Sequence, residues 1–391
     1  MKAQLLAAAA LLTVPACAAD WTVSPLGGSL GNYTYTLGGE AQGSLFAADQ
    51  PSAPGFDKNW ASGAADLHLR LARDYDSGLS LALKSSFELA RDKLSYDNYG
   101  GDLVQKVYLQ AQTGLGRVEV GMTDGAAYAL SITGPVVDDA TSLDNANASF
   151  FLDPSSHQAF TKLFELNSAV EASLNYAKIS YYTPRLFGVQ LAFSYTPSEG
   201  KEVIPFLNNG PDLANRQKSI WEGAFSYSNS FGRTSVGFYG GFSFGHGERK
   251  TADHAGLTEW GLGSEIDYDL TDELKLAVGG GYRRSNAFAF DIYDVRLDGD
   301  SESGHLSTTL SWDNKWTLGA EYGRGTADGG SLGPVIGVRG VETSLGYAIN
   351  DNWRVTAGWQ QLHYTRNTGV FYDGSQRIDL SAAFLHLKFK V

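Results

Sequence analysis

The chain has 391 residues, a net charge of -13 and a mean hydropathy of -0.21. The acidic balance excludes nucleic-acid binding, which needs a basic face. Beyond the N-terminus no stretch of about 18 apolar residues occurs, so a helical membrane protein is excluded as well. The abundance of glycine (46) and of aromatic residues (20 Tyr, 20 Phe and 8 Trp) is typical of large β-barrels.

The N-terminus has the three parts of a secretory signal peptide. Lys2 gives a positive start, Leu5 to Val14 form a short apolar core, and Ala16 to Ala19 form a small-residue cleavage region. We therefore expect residues 1–19 to be removed, together with the only cysteine, Cys17, and residues 20–391 to form one domain. Acylation of Cys17 as a lipoprotein is the alternative, although Pro15 fits such a cleavage site poorly.

Strict alternation of apolar and polar residues predicts an all-β fold of about sixteen antiparallel strands, closed into a transmembrane up-and-down β-barrel. Apolar residues recur at every second position from Val341 to Ile349 and again from Trp353 to Trp359. The predicted strands cover residues 33–47, 65–74, 79–90, 103–113, 117–128, 176–183, 189–196, 220–229, 234–245, 259–270, 273–284, 305–312, 315–325, 338–349, 353–366 and 376–391.

The connections between the predicted strands alternate in length. Short turns at 75–78, 114–116, 186–188, 230–232, 271–272, 313–314 and 350–351 are separated by longer polar segments. Outer-membrane barrels have this rhythm, with short periplasmic turns and long external loops. Trp260 and Tyr268 lie on one face of a strand, about 20 Å apart across the membrane, which suits the two aromatic girdles of such a barrel.

The opposite faces of these strands are polar and charged. Charged side chains cannot face lipid, so these faces predict a water-filled lumen. On the second to fifth strands they include the basic residues Arg70, Lys84, Lys106 and Arg117.

The largest interruption of the alternation lies between the fifth and sixth strands, at residues 131–174. It contains the apolar residues Phe150, Phe151 and Leu152 and a segment, residues 160–172, that has the pattern of a short helix. Apolar side chains would be unfavourable in solvent, so we expect this loop to fold into the barrel. Its aspartates are Asp138, Asp139, Asp144 and Asp153.

The segments Gly116 to Gly121 and Asp124 to Tyr128 resemble the sequence that precedes the constriction loop in Gram-negative general diffusion porins, especially those of alphaproteobacterial type. The resemblance in layout covers the whole mature chain, and this motif is its only locally specific part. It implies a sixteen-stranded, homotrimeric barrel in the outer membrane, surrounded by lipid. It also implies passive diffusion of ions and small hydrophilic solutes, with mild cation selectivity.

In such porins the third external loop narrows the pore, with loop acids facing basic residues of the wall. Carried over to this chain, the acidic side is Asp138, Asp139, Asp144 and Asp153, and the basic side is Arg70, Lys84, Lys106 and Arg117. The two sides would set up a transverse field at the narrowest point and tune ion preference.

The chain departs from the porin pattern at its end, because many such barrels finish in Phe and this one finishes in Val391. Phe389 and Val391 keep the outward phase of Leu385 and Leu387. Residues 378, 380, 382 and 384 are also apolar but have the other parity, which predicts a β-bulge near Phe384 or an error in the strand register.

Other functions stay open at this point. A channel specific for sugars or organic anions would need an aromatic track or a basic ladder, and only Tyr108, Tyr176 and Tyr239 face inward by parity. An enzyme is not indicated, because the seven histidines are scattered and lie in no catalytic motif; a structural barrel would be plugged. No cofactor is expected, although Asp138 and Asp139 are of the type that binds calcium with help from carbonyl oxygens.

Overall fold

The computed structural model describes residues 23–49, 58–91, 104–145, 151, 166, 168–198, 217–247, 256–286, 289–290, 296–297, 300–328, 335–367 and 376–391. The signal peptide and Asp153 lie outside these residues. Among them, no helix is long and apolar enough to cross a membrane.

Sixteen antiparallel strands, each hydrogen-bonded to the next along the chain, form a closed barrel. They are β2 (Tyr33–Asp49), β3 (Asn59–Asp74), β4 (Ser80–Arg91), β5 (Val104–Thr113), β6 (Gly116–Met122), β7 (Ala177–Tyr182), β8 (Val189–Ser198), β9 (Gln217–Phe231), β10 (Thr234–Gly247), β11 (Gly256–Asp269), β12 (Leu274–Ser285), β15 (Ser301–Trp312), β16 (Trp316–Asp328), β17 (Val335–Ala348), β18 (Trp353–Asn367) and β19 (Gln376–Lys390). The predicted fold class and strand count are therefore confirmed, and the barrel is closed by the pairing of β19 with β2.

Three further strands and one short helix complete the described elements. A short strand, β1 (Leu26–Leu30), pairs with the beginning of β2. β13 (Ala289–Phe290) and β14 (Arg296–Leu297) form a small ribbon between β12 and β15. The helix α1 (Ala126–Ala129) follows β6. The sequence did not predict β1, because the residues Leu-Gly-Gly-Ser-Leu do not alternate in polarity.

The seam of the barrel brings the two ends of the described chain together. Gly39 N donates to Val391 O and Val391 N donates to Gly39 O, both at 2.9 Å. β19 ends there, and β1 pairs with the next residues of β2, from Leu37 to Tyr33. β1 therefore pairs with the part of β2 that β19 does not reach, so the same edge of β2 has a partner along its whole length.

The outer face of the barrel is apolar with aromatic residues at two levels. Near the short turns, the Trp312 and Trp316 rings stack at 5.9 Å, and Trp353 lies 4.6 Å from Phe389. Near the long loops, the Tyr195 ring lies 4.5 Å from Trp221, and Trp260 lies 5.4 Å from Tyr282. Two such levels around an apolar band are the interfacial girdles of an outer-membrane barrel.

The predicted bulge near Phe384 is wrong, since β19 pairs with β18 in one continuous register from Phe389 to Gln376. Leu380, Ala382 and Phe384 instead point into the barrel and are buried in an apolar cluster with Leu143 and Phe151 of the long loop. Apolar residues occupy inward positions here because the loop, rather than water, covers the inner face at this end of the barrel.

Candidate pore constriction

The long loop between β6 and β7 begins and ends at the same place on the wall. The buried Lys178 of β7 donates to Thr123 O at 2.7 Å, before the loop, and to the carbonyl oxygens of Ser173 and Leu174, at its end. The buried Glu222 of β9 accepts from Ala127 N at 3.2 Å and from Ser173 N at 3.1 Å. One cation and one carboxylate therefore hold both ends of the loop together.

Local sequence explains why the chain turns inward here. β6 was predicted to continue to Tyr128, but it ends at Met122, and residues 126–129 form α1. Ala126 N donates to Ser194 Oγ, and a Cβ at Gly125 would lie only 2.1 Å from Glu222 Oε2. A small residue at position 125 thus allows the close approach that sends the chain into the barrel.

From α1 the outgoing arm of the loop, residues 130–138, follows the inner wall toward β19. Glycines on the strands make room for it. A Cβ at Gly263 of β11 would lie 1.6 Å from Ile132 O, and one at Gly319 of β16 would lie 2.4 Å from a methyl group of Val137. The loop backbone therefore lies directly on the sheet, in contact that no larger side chain would permit.

Buried polar groups of the wall fix the middle of the loop. Glu321 of β16 accepts from Leu143 N at 3.0 Å and from Ser142 Oγ at 2.8 Å. His305 of β15 bridges Glu321, at 3.1 Å, and the carbonyl oxygen of Thr133, also at 3.1 Å. These side chains supply the loop with the hydrogen bonds that its irregular backbone cannot make to itself.

The outgoing arm ends against β18 and β19. Arg354 of β18 donates to Val137 O at 2.6 Å, and Thr356 donates to the Asp138 carboxylate at 3.3 Å. His386 of β19 lies 3.8 Å from the same carboxylate. Asp138 is 5% exposed. Its carboxylate therefore points at the wall and away from the lumen.

The returning arm packs above the outgoing one. Leu143, Phe151 and Leu166 are fully buried in the apolar cluster formed with β2 and β16–β19. Ser168 then lies against Gly281 and Val170 against Gly261, and Glu171 N donates to the buried Glu259 of β11 at 2.9 Å. The prediction that the loop folds into the barrel is confirmed. The helix predicted at 160–172 is not formed at residues 168–172, and most of its other residues lie outside the described ones.

The side of the loop that faces away from the wall is acidic. It forms a recess of about 260 Å³, lined only by residues from Tyr128 to Glu171 and containing the three carboxylates Asp139, Asp144 and Glu171. Asp144 Oδ1 accepts from the backbone and the hydroxyl of Ser168, both at 2.7 Å. Asp139 and Asp144 lie inside the barrel with protein atoms close around them, and this desolvation raises the pKa of both carboxyl groups. The Asp139 side chain still reaches water in the recess.

The described part of the loop contacts β2, β7 to β12 and β15 to β19. It reaches β5 and β6 only at its two ends, at residues 123–124 and 175, and leaves the rest of the inner face of β3 to β6 uncovered. The predicted basic residues lie on that bare wall. Arg70 and Lys84 are direct cross-strand partners. Arg117 is 3.1 Å from Glu119 and lies over the Tyr182 ring at 4.0 Å, and Lys106 is 2.7 Å from Asp124. Of the four predicted basic residues, Arg70 and Lys84 thus have no carboxylate within ion-pair distance among the described residues.

Of the predicted acidic side, Asp139 and Asp144 lie at the recess and Asp138 does not. Glu171 was not predicted to belong to this site, because the segment that contains it, residues 160–172, has the sequence pattern of a helix. Lys388, which lies 2.8 Å from Glu40 and acts on the charge of Asp139, was also missed. A basic residue at an inward-facing position of β19 was the signal that could have found it.

Within the described ranges, no group of three or more His, Cys, Asp or Glu side chains is arranged to hold a metal ion. Asp138, one half of the pair considered for calcium, already accepts from Thr356 and from Ala140 N.

The barrel is closed and antiparallel, and its outer face is apolar with two rings of aromatic residues. Its lumen is charged and has a loop folded inside. These features together define an outer-membrane channel. The model of the Gram-negative porin family matches residues 5–387, so the chain belongs to that family and is an outer-membrane channel for diffusion.

Solved structures agree with this fold. The chain is similar to OmpF of Salmonella typhi in complex with daunomycin, at 12% identity and a TM-score of 0.58, covering 93% of this chain and all of that one. It is also similar to the anion-selective porin from Comamonas acidovorans, at 12% identity and a TM-score of 0.54, covering 92% of this chain and all of that one. A third similar structure is OmpT of Vibrio cholerae in trimer form, at 13% identity and a TM-score of 0.55, covering 92% of this chain and 99% of that one. No curated protein compared with the chain matches it significantly.

Proposed function

We propose that this porin is a general diffusion pore for ions and small hydrophilic solutes, mildly selective for cations. The observation that carries the proposal is the acidic recess on the loop, where Asp139, Asp144 and Glu171 converge. The bare wall, with Arg70 and Lys84, forms the other side of the lumen. Opposed charges of this kind produce a transverse field, and the more numerous carboxylates favour cations.

The proposed eyelet differs from the one expected from the sequence. Asp138 belongs to the anchoring of the loop, and Glu171 takes its place among the acids that face the lumen. Arg117 and Lys106 are neutralised by Glu119 and Asp124, so the positive side consists mainly of Arg70 and Lys84.

The test is the reversal potential of single channels in a planar bilayer across a KCl gradient. Combined substitution Asp139→Asn, Asp144→Asn and Glu171→Gln should lower the cation-to-anion permeability ratio by about twofold or more, because one charge at about 8 Å in water changes ion partition about twofold. Lowering the pH should act in the same direction on the wild type. It should begin above the usual range of aspartate, since burial raises the pKa of Asp139 and Asp144.

The matched control is Asp138→Asn, which removes a nearby loop charge that is buried against the wall. It should leave the permeability ratio almost unchanged. An unchanged ratio in the triple variant, or an equal shift in the control, would contradict the assignment of the eyelet.

The homotrimer implied by the resemblance belongs to the same proposal. OmpT of Vibrio cholerae, with which the chain shares its fold, is described in a trimer form. The outer face of the barrel is apolar around its circumference and can be covered either by lipid or by a neighbouring subunit.

The structure favours neither a sugar-specific channel nor an enzyme. Of the tyrosines that could have formed an aromatic track, Tyr176 is buried where the loop ends, and Tyr239 is buried in a cluster with α1 and Val170 of the loop. Ser44, His386 and Asp138 form a Ser–His–Asp arrangement, with Ser44 Oγ 2.7 Å from His386 Nδ1. His386 is 1% exposed and its other nitrogen, 3.8 Å from Asp138, is too far away for a hydrogen bond, so this group is buried between the loop and the wall and is not open to a substrate.

A further inference from the structure

Two arginines and a histidine form a row on the outer face of the barrel. Arg324 of β16 is the direct cross-strand partner of Arg339 of β17, and Arg339 is the partner of His363 of β18. Arg324 and Arg339 are exposed, and His363 lies beside them on the same outward face. Paired residues on one face of a sheet have Cβ atoms about 4.5–5.5 Å apart.

The row lies at the edge of the membrane on the side of the long loops. Arg324 is eight positions along β16 from Trp316, which belongs to the girdle near the short turns. Eight residues of a tilted strand rise about 20 Å, and the apolar band of such a barrel is about 25 Å tall. Tyr322 and Val341, one step lower on the same face, are exposed and apolar. The guanidinium groups thus stand where lipid tails end and headgroups begin.

The positive charges of the two arginines in this row are not neutralised by ion pairs among the described residues. Like charges placed directly opposite each other destabilise a sheet. Within the part of the chain that the structure describes, no carboxylate lies within ion-pair distance of Arg324 or Arg339. The acids nearby have other partners: Asp379 bonds His363 and Arg377, Asp300 bonds Arg284, and Glu302 accepts from the Tyr282 hydroxyl.

The neighbouring strand leaves space beside the row. The residue of β15 opposite Arg324 is Gly304, which has no side chain and meets no other atom closer than 3.8 Å at its Cβ position. An incoming group can therefore approach Arg324 from one side without displacing a side chain. The row is open toward the bilayer.

We propose that Arg324 and Arg339 bind the phosphate group of an anionic lipid in the extracellular leaflet. Guanidinium groups bind phosphate oxygens through paired, charge-assisted hydrogen bonds, and two adjacent groups hold one phosphate better than either alone. The lipid tails would lie against Tyr322 and Val341, directly below. Binding would neutralise the like charges, and it requires no contact with the lumen or the loop.

The proposal can be tested by native mass spectrometry of the purified channel in detergent, titrated with phosphatidic acid and, separately, with phosphatidylcholine. The wild type should retain phosphatidic acid in preference to phosphatidylcholine. The double substitution Arg324→Gln and Arg339→Gln should weaken the binding of phosphatidic acid by about tenfold. The double substitution to lysine keeps the charge but loses the paired geometry, and should bind with intermediate affinity.

Arg284→Gln is the matched control, since Arg284 is an outward-facing arginine at the same end of the barrel but is paired with Asp300 at 2.7 Å. It should bind phosphatidic acid like the wild type. Equal binding by the wild type and the glutamine variant, or an equal loss in the control, would overturn the proposal. Complete displacement of the lipid by inorganic phosphate would also overturn it, because the site would then recognise a free anion. None of these outcomes bears on ion selectivity in the lumen.

Discussion

The lumen of this porin has two walls of opposite character. On the wall covered by the loop, inward positions are glycines, such as Gly263 and Gly319, and buried hydrogen-bonding side chains, such as Glu222 and Glu321. On the bare wall, β3 to β6, inward positions carry the long basic side chains. Both walls are lumen faces of the same barrel, and in the sequence the inward positions of both carry small or polar residues.

The difference shows that an inward position in a β-barrel has one of two roles. A glycine or a buried carboxylate at an inward position makes room for the loop or bonds to its backbone, and so determines where the loop lies. A long charged residue on the bare wall acts on the solute. Changes on the covered wall should therefore alter the stability and position of the loop, whereas changes on the bare wall should alter selectivity alone.

The largest effect is expected from Glu222→Ala. It would leave Ala127 N and Ser173 N without their acceptor at the point where the loop begins and ends. Each unsatisfied buried group costs about 1–3 kcal/mol. The open-channel current should become noisy, with frequent partial closures, because the loop is released at both ends. Glu222→Gln keeps one of the two acceptor oxygens, so it can hold only one of these N–H groups and should give an intermediate effect. A steady current in the alanine variant would show that Glu222 does not hold the loop.

A smaller effect is expected from Gly263→Ala. The added methyl group would overlap Ile132 O and push the outgoing arm toward the lumen, at a cost of about 1–3 kcal/mol. Single-channel conductance should fall because the pore narrows. Gly43→Ala is the control, since its Cβ would meet only Ser62 O at 3.9 Å. If both variants conduct like the wild type, the loop backbone does not lie against β11 as described.

The smallest effect is expected on the bare wall, from combined Arg70→Gln and Lys84→Gln. The thermal stability of the barrel should not fall, because the two cations are cross-strand partners that repel each other. The cation-to-anion permeability ratio should rise by about twofold for each charge removed. Lys315→Gln, at an exposed short turn, should leave the ratio unchanged. A fall in stability together with an unchanged ratio would remove the distinction between the two walls.

The alternation of side chains in the sequence was sufficient to predict the sixteen strands of the barrel, because every strand has one face toward lipid. It was not sufficient to predict what covers the inner face. Leu380 and Phe384 have the inward parity and were mistaken for a bulge, since an apolar residue has the same pattern whether lipid or a loop buries it. The helix α1 was taken for strand because its conformation depends on contacts with Ser194 and Glu222, far away in sequence.

The candidate site shows the same limit of sequence-based prediction for individual side chains. Asp138 and Asp139 are neighbours in sequence, yet one is bonded to Thr356 and the other opens into the recess. In an irregular loop no periodicity decides which side chain faces water, and only the docking of the loop on the wall separates the two. Position in the loop could be predicted, but the direction of each side chain could not.

The seam between β2 and β19 has a consequence for the order of assembly. Its hydrogen bonds join residues such as Gly39 and Val391, which lie at opposite ends of the described chain. Until β19 has been made and has reached β2, the growing sheet has two open edges, each able to pair with another chain. Loop closure over so many residues is also a slow event in folding. Completion of the barrel is therefore a late step, and a nascent chain that reaches the periplasm depends on protection of those edges until its last strand arrives.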